Sequence, residues 1–535
     1  MSPQYFSPGV YVEEVDKGAK PIEGVGTSVA AFVGFVEKLP GQDGPEEKRI
    51  ANPYAPLFIA NWGEFARNYG GFMPGGYMAQ AVHGYFNNGG GSCYVAALPG
   101  SGVQIEGGAE PRARAALPSG TESSIETLQF TALEEGEITV EVSKPEGEDI
   151  PEDQFNLKIV CGAKTEPFEN VTFRRGTAAK GRNVIELVNR ESKLVKVAEK
   201  ESALSIAEKA PAPGTYPLTL AATSTTALTT APVSAELVKG DAAERTGICG
   251  LELAEDVTMV ICPDLMALYQ QGSISRDGVK AVQTAMIDHC EGVGDRFALL
   301  DCLPDQSPQE VKDWIVNEAG YDSSYAAVYY PWIKVANPLP TNGESMFVPP
   351  SGYMAGVYAR NDSTRGVHKA PANEIVRGAI GVEKAITKSE QDILNPAGIN
   401  CIRAFPGRGI RVWGARTLAS DASWRYINVR RLFNFVEKSI EVGTQWVVFE
   451  PNDATLWSKI RRDVGAFLRR VWMDGALFGA TPAEAFYVKC DEELNTIEVR
   501  DAGQVIIEIG ICPVKPAEFV IFRISQWAGP SASAE

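Results

Sequence analysis

The stretch from Asp256 to Val335 constrains the fold more than any other. DVTMVICP, RFALLDCLP and SSYAAVYYPWIKV are apolar runs of strand length, with the helical patterns AVQTAMIDHCEGV and SPQEVKDWIVNEAG between them. A continuous apolar strand is one buried on both faces, and strands that alternate with helices join in parallel through crossovers. The order therefore predicts an α/β domain with a mostly parallel sheet. Ser307, Pro308 and Glu310 open the second helix in capping-box style.

Around this centre the texture changes. The opening MSPQYFSPGVYVEEVDKGAK holds a short strand-like GVYVEEV and too little apolar surface to fold alone. TSVAAFVGFVEK reads as a buried strand; PLFIANWGEFARNYGGF and YMAQAVHGYFNNGGGSCYVAAL read as helical, the second turning through glycines into a strand. From about 101 to 245, TLQFTAL, EITVEVS, FNLKIVC and ENVTF are short alternating strands between acidic, glycine- and proline-rich turns, an inserted small β domain. The last third mixes helices with strands AFYVKC, QVIIEIGICPV and AEFVIFRIS, an α+β texture. The expected division is 1–23 extended arm, 24–100 first core segment, 101–245 insertion, 246–375 α/β middle domain, 376–516 C-terminal domain and 517–535 strand arm with tail.

No chemistry declares itself. Ser28 lies in GVGTSVA, locally like a subtilisin nucleophile segment, but it precedes all three histidines, His83, His289 and His368, against that family's Asp, His, Ser order. Ser351, Asp362 and His368 lie close in sequence, yet Ser351 follows two prolines and sits on no G-x-S-x-G elbow. GRGIRVWG has neither dinucleotide nor P-loop spacing, and Gly89–Gly91 serve as a turn without a ligand. The nine cysteines are scattered, form no C-x-x-C pair and read as reduced thiols. No enzyme, cofactor or metal is expected. A cryptic serine hydrolase, or a carbohydrate-binding protein working through the β insertion, are the competing readings.

One stretch stands against the chain's acidity. The formal charge is −18 and the pI about 4.9, which disfavours nucleic acid as a partner, and no apolar run approaches the length of a membrane span. No secretory signal is evident at Met1. Yet LWSKIRRDVGAFLRRVW, Leu456 to Trp472, gathers five basic side chains. On a helix, Leu456, Ile460, Val464, Phe467, Leu468 and Val471 form one buried stripe. Arg462 and Arg469 stand opposite, with Lys459 and Arg470 on one flank, Arg461 on the other, and Asp463 as the only internal counter-charge. Such a face is either solvated or docks something acidic.

These pieces together resemble the contractile tail sheath family. PGVYVEEVDKGAKPIEGVGTSVAAFVG is similar to its opening and YFNNGGGSCYVAAL to its helix–glycine–strand segment. YYPWIKV, VPPSGYMAGVYARND and GVHKAPAN resemble its middle domain; NPAGINCIRAFPGRGIRVWGARTL, INVRRLFNFVEKSIEVGTQWVVFEPN and LFGATPAEAFYVKCDEELN resemble its C-terminal domain. The likeness covers about 8–100 and 246–525 and leaves the insertion unassigned. It implies a sandwich-like middle domain that is subtilisin-like in fold only. It also implies a subunit that polymerises as stacked hexameric rings around an inner tube and contracts to drive that tube through a target envelope. Lys459, Arg461, Arg462, Arg469 and Arg470 then match the helix that meets an acidic tube. Val10, Tyr11, Val12 and Glu13, with Phe519, Val520, Ile521 and Phe522, match terminal strands that join neighbouring subunits by β-augmentation. The implied partners are other copies of the chain, the tube protein, and baseplate and terminal cap proteins, with no direct membrane insertion. The implied setting is cytoplasmic assembly as part of a phage tail or a phage-tail-like contractile injection system, two origins left open.

Overall fold

The computed structural model describes residues 21–41, 50, 52–99, 114–120, 126–132, 138–145, 151, 153–161, 164–174, 182–199, 205–206, 208–218, 234–339 and 344–524. Val10, Tyr11, Val12 and Glu13 lie outside the described residues.

The chain divides into two compact units, Met1–Ile105 with Ala231–Glu535, and Glu106–Thr230. The first is organised by an eight-stranded sheet of β1 (Ala30–Gly34), β2 (Leu57–Ile59), β3 (Cys93–Ala97), β4 (Met259–Ile261), β5 (Phe297–Asp301), β6 (Ala326–Tyr330), β7 (Ile399–Phe405) and β8 (Gly409–Val412), in the order β8-β7-β6-β5-β4-β1-β3-β2. β7, β6, β5, β4, β1 and β3 run parallel, and β8 and β2 close the two edges antiparallel. β1, β4, β5 and β6 are buried at every position, the two-sided burial that their apolar runs encode.

SSYAAVYYPWIKV does not stay one strand. Pro331 has no N–H to give a ladder, and the chain leaves the main sheet there. Ile333–Ala336 resumes in a separate sheet, between Ser345–Val348 and Ala379–Val382. PLFIANWGEFARNYGGF also differs from its helical reading. Leu57–Ile59 pairs with β3, and only Trp62–Tyr69 is helical, capped by Asn61.

Helix Met78–Asn88 crosses helix Ser351–Arg365 at unusually close range. A Cβ on Gly352 would lie 2.5 Å from the Ala81 Cβ, and one on Gly356 2.5 Å from the Tyr85 carbonyl, so only glycine fits at either position. Asp362, in the last turn of the second helix, takes a bidentate pair from Arg431 at 2.7 and 3.1 Å, with both side chains almost wholly buried. Thr27 joins them, its hydroxyl donating to Asp362 and its carbonyl accepting from Arg431. This triad ties the chain entering β1 to the middle domain and to helix Ile427–Gly443.

The second unit holds two antiparallel sheets. Four strands run in the order Gly214–Pro217, Ile138–Ser143, Gln154–Cys161, Lys164–Thr172, and three in the order Arg114–Pro118, Glu126–Ala132, Val195–Glu199. Val140, Leu157, Ile159, Leu128 and Phe130 lie in its own core. The unit falls within the 101–245 read from sequence, and helix Ala235–Lys239 belongs to the first unit.

Candidate functional site

Two surface features in the first unit offer themselves as contact sites. The first is helix Ala454–Met473, opened by Asp453, whose carboxylate accepts the Leu456 N–H at 2.7 Å. Leu456, Ile460, Val464, Phe467, Leu468 and Val471 are all buried against Leu432, Val436 and Leu477. Trp457 is buried as well and donates through Nε1 to Asn452 at 2.9 Å, which the stripe alone did not indicate. Ser458, Lys459, Arg462, Ala466, Arg469, Arg470 and Met473 are exposed.

The five cations have different fates. Arg461 reaches inward and donates to the Cys490 carbonyl, and Arg470 donates to the Ile22 carbonyl. Arg462 pairs at 2.9 Å with Asp463, whose side chain is buried beneath it. Among the described residues, Lys459 and Arg469 have no ion-pair or hydrogen-bond partner. The cations without any partner therefore stand at these two positions, about 15 Å apart along the helix.

The second feature begins at Glu518. Its carboxylate takes Arg416 at 2.9 and 2.7 Å, Asn395 at 2.6 Å and Tyr426 at 3.0 Å. Burial raises its pKa, but Arg416 and Asn395 outweigh that and hold the carboxyl below its ordinary value. Directly beyond this clamp the chain runs into solvent. Phe519, Val520, Ile521, Phe522 and Ile524 are 70, 70, 78, 83 and 95% exposed, and residues 516–524 pair with no strand of the described chain. Sequence offers no sign of the clamp, since Glu518 and Arg416 are 102 residues apart. Nearby, Phe486–Lys489 and Glu508–Ile511 form a two-stranded sheet, the smallest and least self-sufficient kind.

The serine constellations do not assemble. Ser351 opens its helix and Asp362 lies in the last turn, about 16 Å away along the axis. The Ser351 hydroxyl donates instead to Asp301 at 2.5 Å and its N–H to the same carboxylate at 2.8 Å, all of it buried. Burial pushes the Asp301 carboxyl up to about 7, against the pull of those two bonds. Asp362 is held by Arg431, and Ser28 lends only its carbonyl, to the Tyr85 hydroxyl. Ser351→Ala strips a donor from a buried carboxylate and is expected to cost about 1–3 kcal/mol. Urea unfolding measures that loss, and ester and peptide cleavage assays are expected to give the same background for both proteins. Among the described residues no His, Cys, Asp and Glu cluster is arranged to hold a metal ion, and no helix is long and apolar enough to cross a membrane.

The fold is that of contractile sheath proteins. The chain superposes on the contracted helical sheath of the anti-feeding prophage with a TM-score of 0.56, at 23% identity, over 98% of this chain and 99% of that one. The contracted sheath of the extracellular contractile injection system PVC gives a TM-score of 0.53, at 23% identity and the same coverage. By sequence, the phage tail sheath protein central domain matches residues 260–418 and the phage tail sheath C-terminal domain matches residues 419–526. Residues 260–526 therefore carry the central and C-terminal domains of the phage tail sheath family.

Curated relatives agree. A putative prophage major tail sheath protein of Pseudomonas aeruginosa (strain UCBPP-PA14) is 30% identical over 188 residues, 34% of this chain and 47% of that protein. The tail sheath protein of Vibrio phage KVP40 is 31% identical over 184 residues, 34% of this chain and 26% of that protein. The matched stretch thus spans about half or less of these relatives' own length.

Proposed function

We propose that the chain is a structural subunit of a contractile sheath, polymerising with other copies as stacked hexameric rings around an inner tube and contracting to drive that tube forward. The observation that carries this reading is the apolar arm beyond Glu518. A strand of large apolar residues with free backbone N–H and C=O groups is unstable in water and is satisfied by joining the sheet of another molecule. The clamp fixes where the arm leaves the body, so its direction is preset.

In this reading residues 1–23 and 517–535 are the arms, and Val10, Tyr11, Val12 and Glu13 pair between subunits as Phe519, Val520, Ile521 and Phe522 do. Residues 24–100, 246–375 and 376–516 make the working body, and 101–245 is an outer domain. The middle domain is subtilisin-like in fold alone, which leaves Ser28 and Ser351 structural. The helix Ala454–Met473 faces an acidic tube. Lys459 and Arg469 carry most of that contact, Arg462 contributes from its pair with Asp463, and Arg461 and Arg470, tethered to backbone carbonyls, stiffen the helix. Exposed ion pairs contribute only about 0–1 kcal/mol each, a strength suited to a sheath that must release its tube. Contraction is driven by better-satisfied subunit contacts, not by nucleotide hydrolysis. The particle is a phage tail or phage-tail-like injection machine assembled in the cytoplasm, completed by baseplate and cap proteins.

Trypsin tests the arm's fate. Arg523 is exposed in the single chain and is expected to be cut in monomers but resistant in polymers, with mass spectrometry of the released peptide as the readout. Equal cleavage in both would show that the arm stays free on assembly.

A further inference from the structure

Phe449 is held in a backbone conformation that its side chain opposes. Val447–Glu450 form a type II turn: the Glu450 N–H donates to the Val447 carbonyl at 3.1 Å, Val448 has φ −65° and ψ 129°, and Phe449 has φ +67°. The third position of that turn favours glycine or asparagine, because a Cβ crowds the backbone at positive φ. Phenylalanine adds a second penalty, since the residue is fully exposed and Val448 beside it is 63% exposed. Asparagine would relieve both, so the single chain gives phenylalanine nothing in return.

The turn is firmly mounted. Trp446 and Val447 pack on the core of the C-terminal domain. Asn452, just after it, accepts from Trp457 Nε1 at 2.9 Å and donates to the Gln504 carbonyl at 2.8 Å. A strained residue fixed by its surroundings and projecting an apolar ring is a contact element.

The same body carries a place for such a ring. A cleft of about 370 Å³ opens between the strand entering β1 and helix Ile427–Gly443; Val25, Val29, Val257, Phe435 and Val442 give it an apolar wall, and charged side chains such as Asp295 and Lys438 also line it. The chain's own Phe449 does not enter it, being fully exposed. A knob and a hole at different places on one molecule make a heterologous contact, which repeats into an open helix or a ring instead of closing a two-fold dimer.

We propose that the Phe449 turn of one subunit inserts into the Val25–Val442 cleft of a second copy. The inference rests on the sheath reading and adds to it a specific aromatic lock. Two measurements test it. Phe449→Asn is expected to keep or raise the melting temperature of the monomer while raising the concentration needed for polymerisation at least tenfold. A photoreactive p-benzoyl-phenylalanine at position 449 is expected, in assembled full-length chains, to cross-link to residues lining the cleft of another copy. Cross-links to the inner tube protein, or to a different surface of the second copy, overturn the insertion and leave the sheath reading standing, as does normal polymerisation of Phe449→Asn. Chains that form no polymer under any condition overturn both.

Discussion

Deleting residues 519–535 yields a folded monomer that does not polymerise. The fold survives because Phe519 to Ile524 bury almost nothing in their own chain, so unfolding is expected within about 0.5 kcal/mol of the parent. Assembly fails because each backbone hydrogen bond lost nets about 0.5–1.5 kcal/mol, and the apolar burial lost with it adds about 25 cal/mol per Å². Even about 3 kcal/mol per contact raises the critical concentration roughly 100-fold. Sedimentation of parent and truncated chains over a concentration series measures the shift. Polymerisation of the truncated chain at the parent's concentration would mean that the arm's apolar residues are covered in some other way.

Reversing the free charges on the cationic helix separates tube loading from polymerisation. Lys459→Glu with Arg469→Glu changes the formal charge by four units per subunit and touches neither the buried stripe nor the Arg462–Asp463 pair. Stability is expected to hold within about 0.5 kcal/mol for each exposed substitution. Against an acidic tube, like charge at every subunit converts a weak attraction into repulsion, about 1 kcal/mol per subunit multiplied around each ring. The variant is expected to polymerise alone and to lose the tube from its sheaths. Salt weakens the parent's contact as well, since charges are screened over about 8 Å at physiological ionic strength. Normal tube-filled sheaths from the variant would assign tube contact to another surface.

The sequence is most legible where burial is two-sided. β4, β5 and β6 are apolar but for the terminal Asp301 because both faces of the parallel sheet are covered, and the stripe from Leu456 to Val471 repeats at helical period because one face is. Leu57–Ile59 is illegible for the opposite reason. It is three residues long, half exposed and held as a strand only by its pairing with β3. The cationic face was visible as a face, but the separate fates of its five charges were not. Arg461 and Arg470 are tethered because the Cys490 and Ile22 carbonyls come within reach in space, and no spacing along the chain encodes that. The same holds for the Glu518 clamp, assembled from Asn395, Arg416 and Tyr426. Phe449 gave no warning either. VVFEPN reads as an ordinary apolar run before a proline, and only the backbone angle reveals an aromatic in a glycine position.

Negative-stain microscopy of the purified chain, concentrated without a tube protein, decides whether it is a self-assembling sheath subunit. The expected result is long hollow tubes of stacked rings, formed by this one chain. Uniform isolated particles of monomer size at every concentration and salt would contradict it, because no neighbour would then take up the arm beyond Glu518.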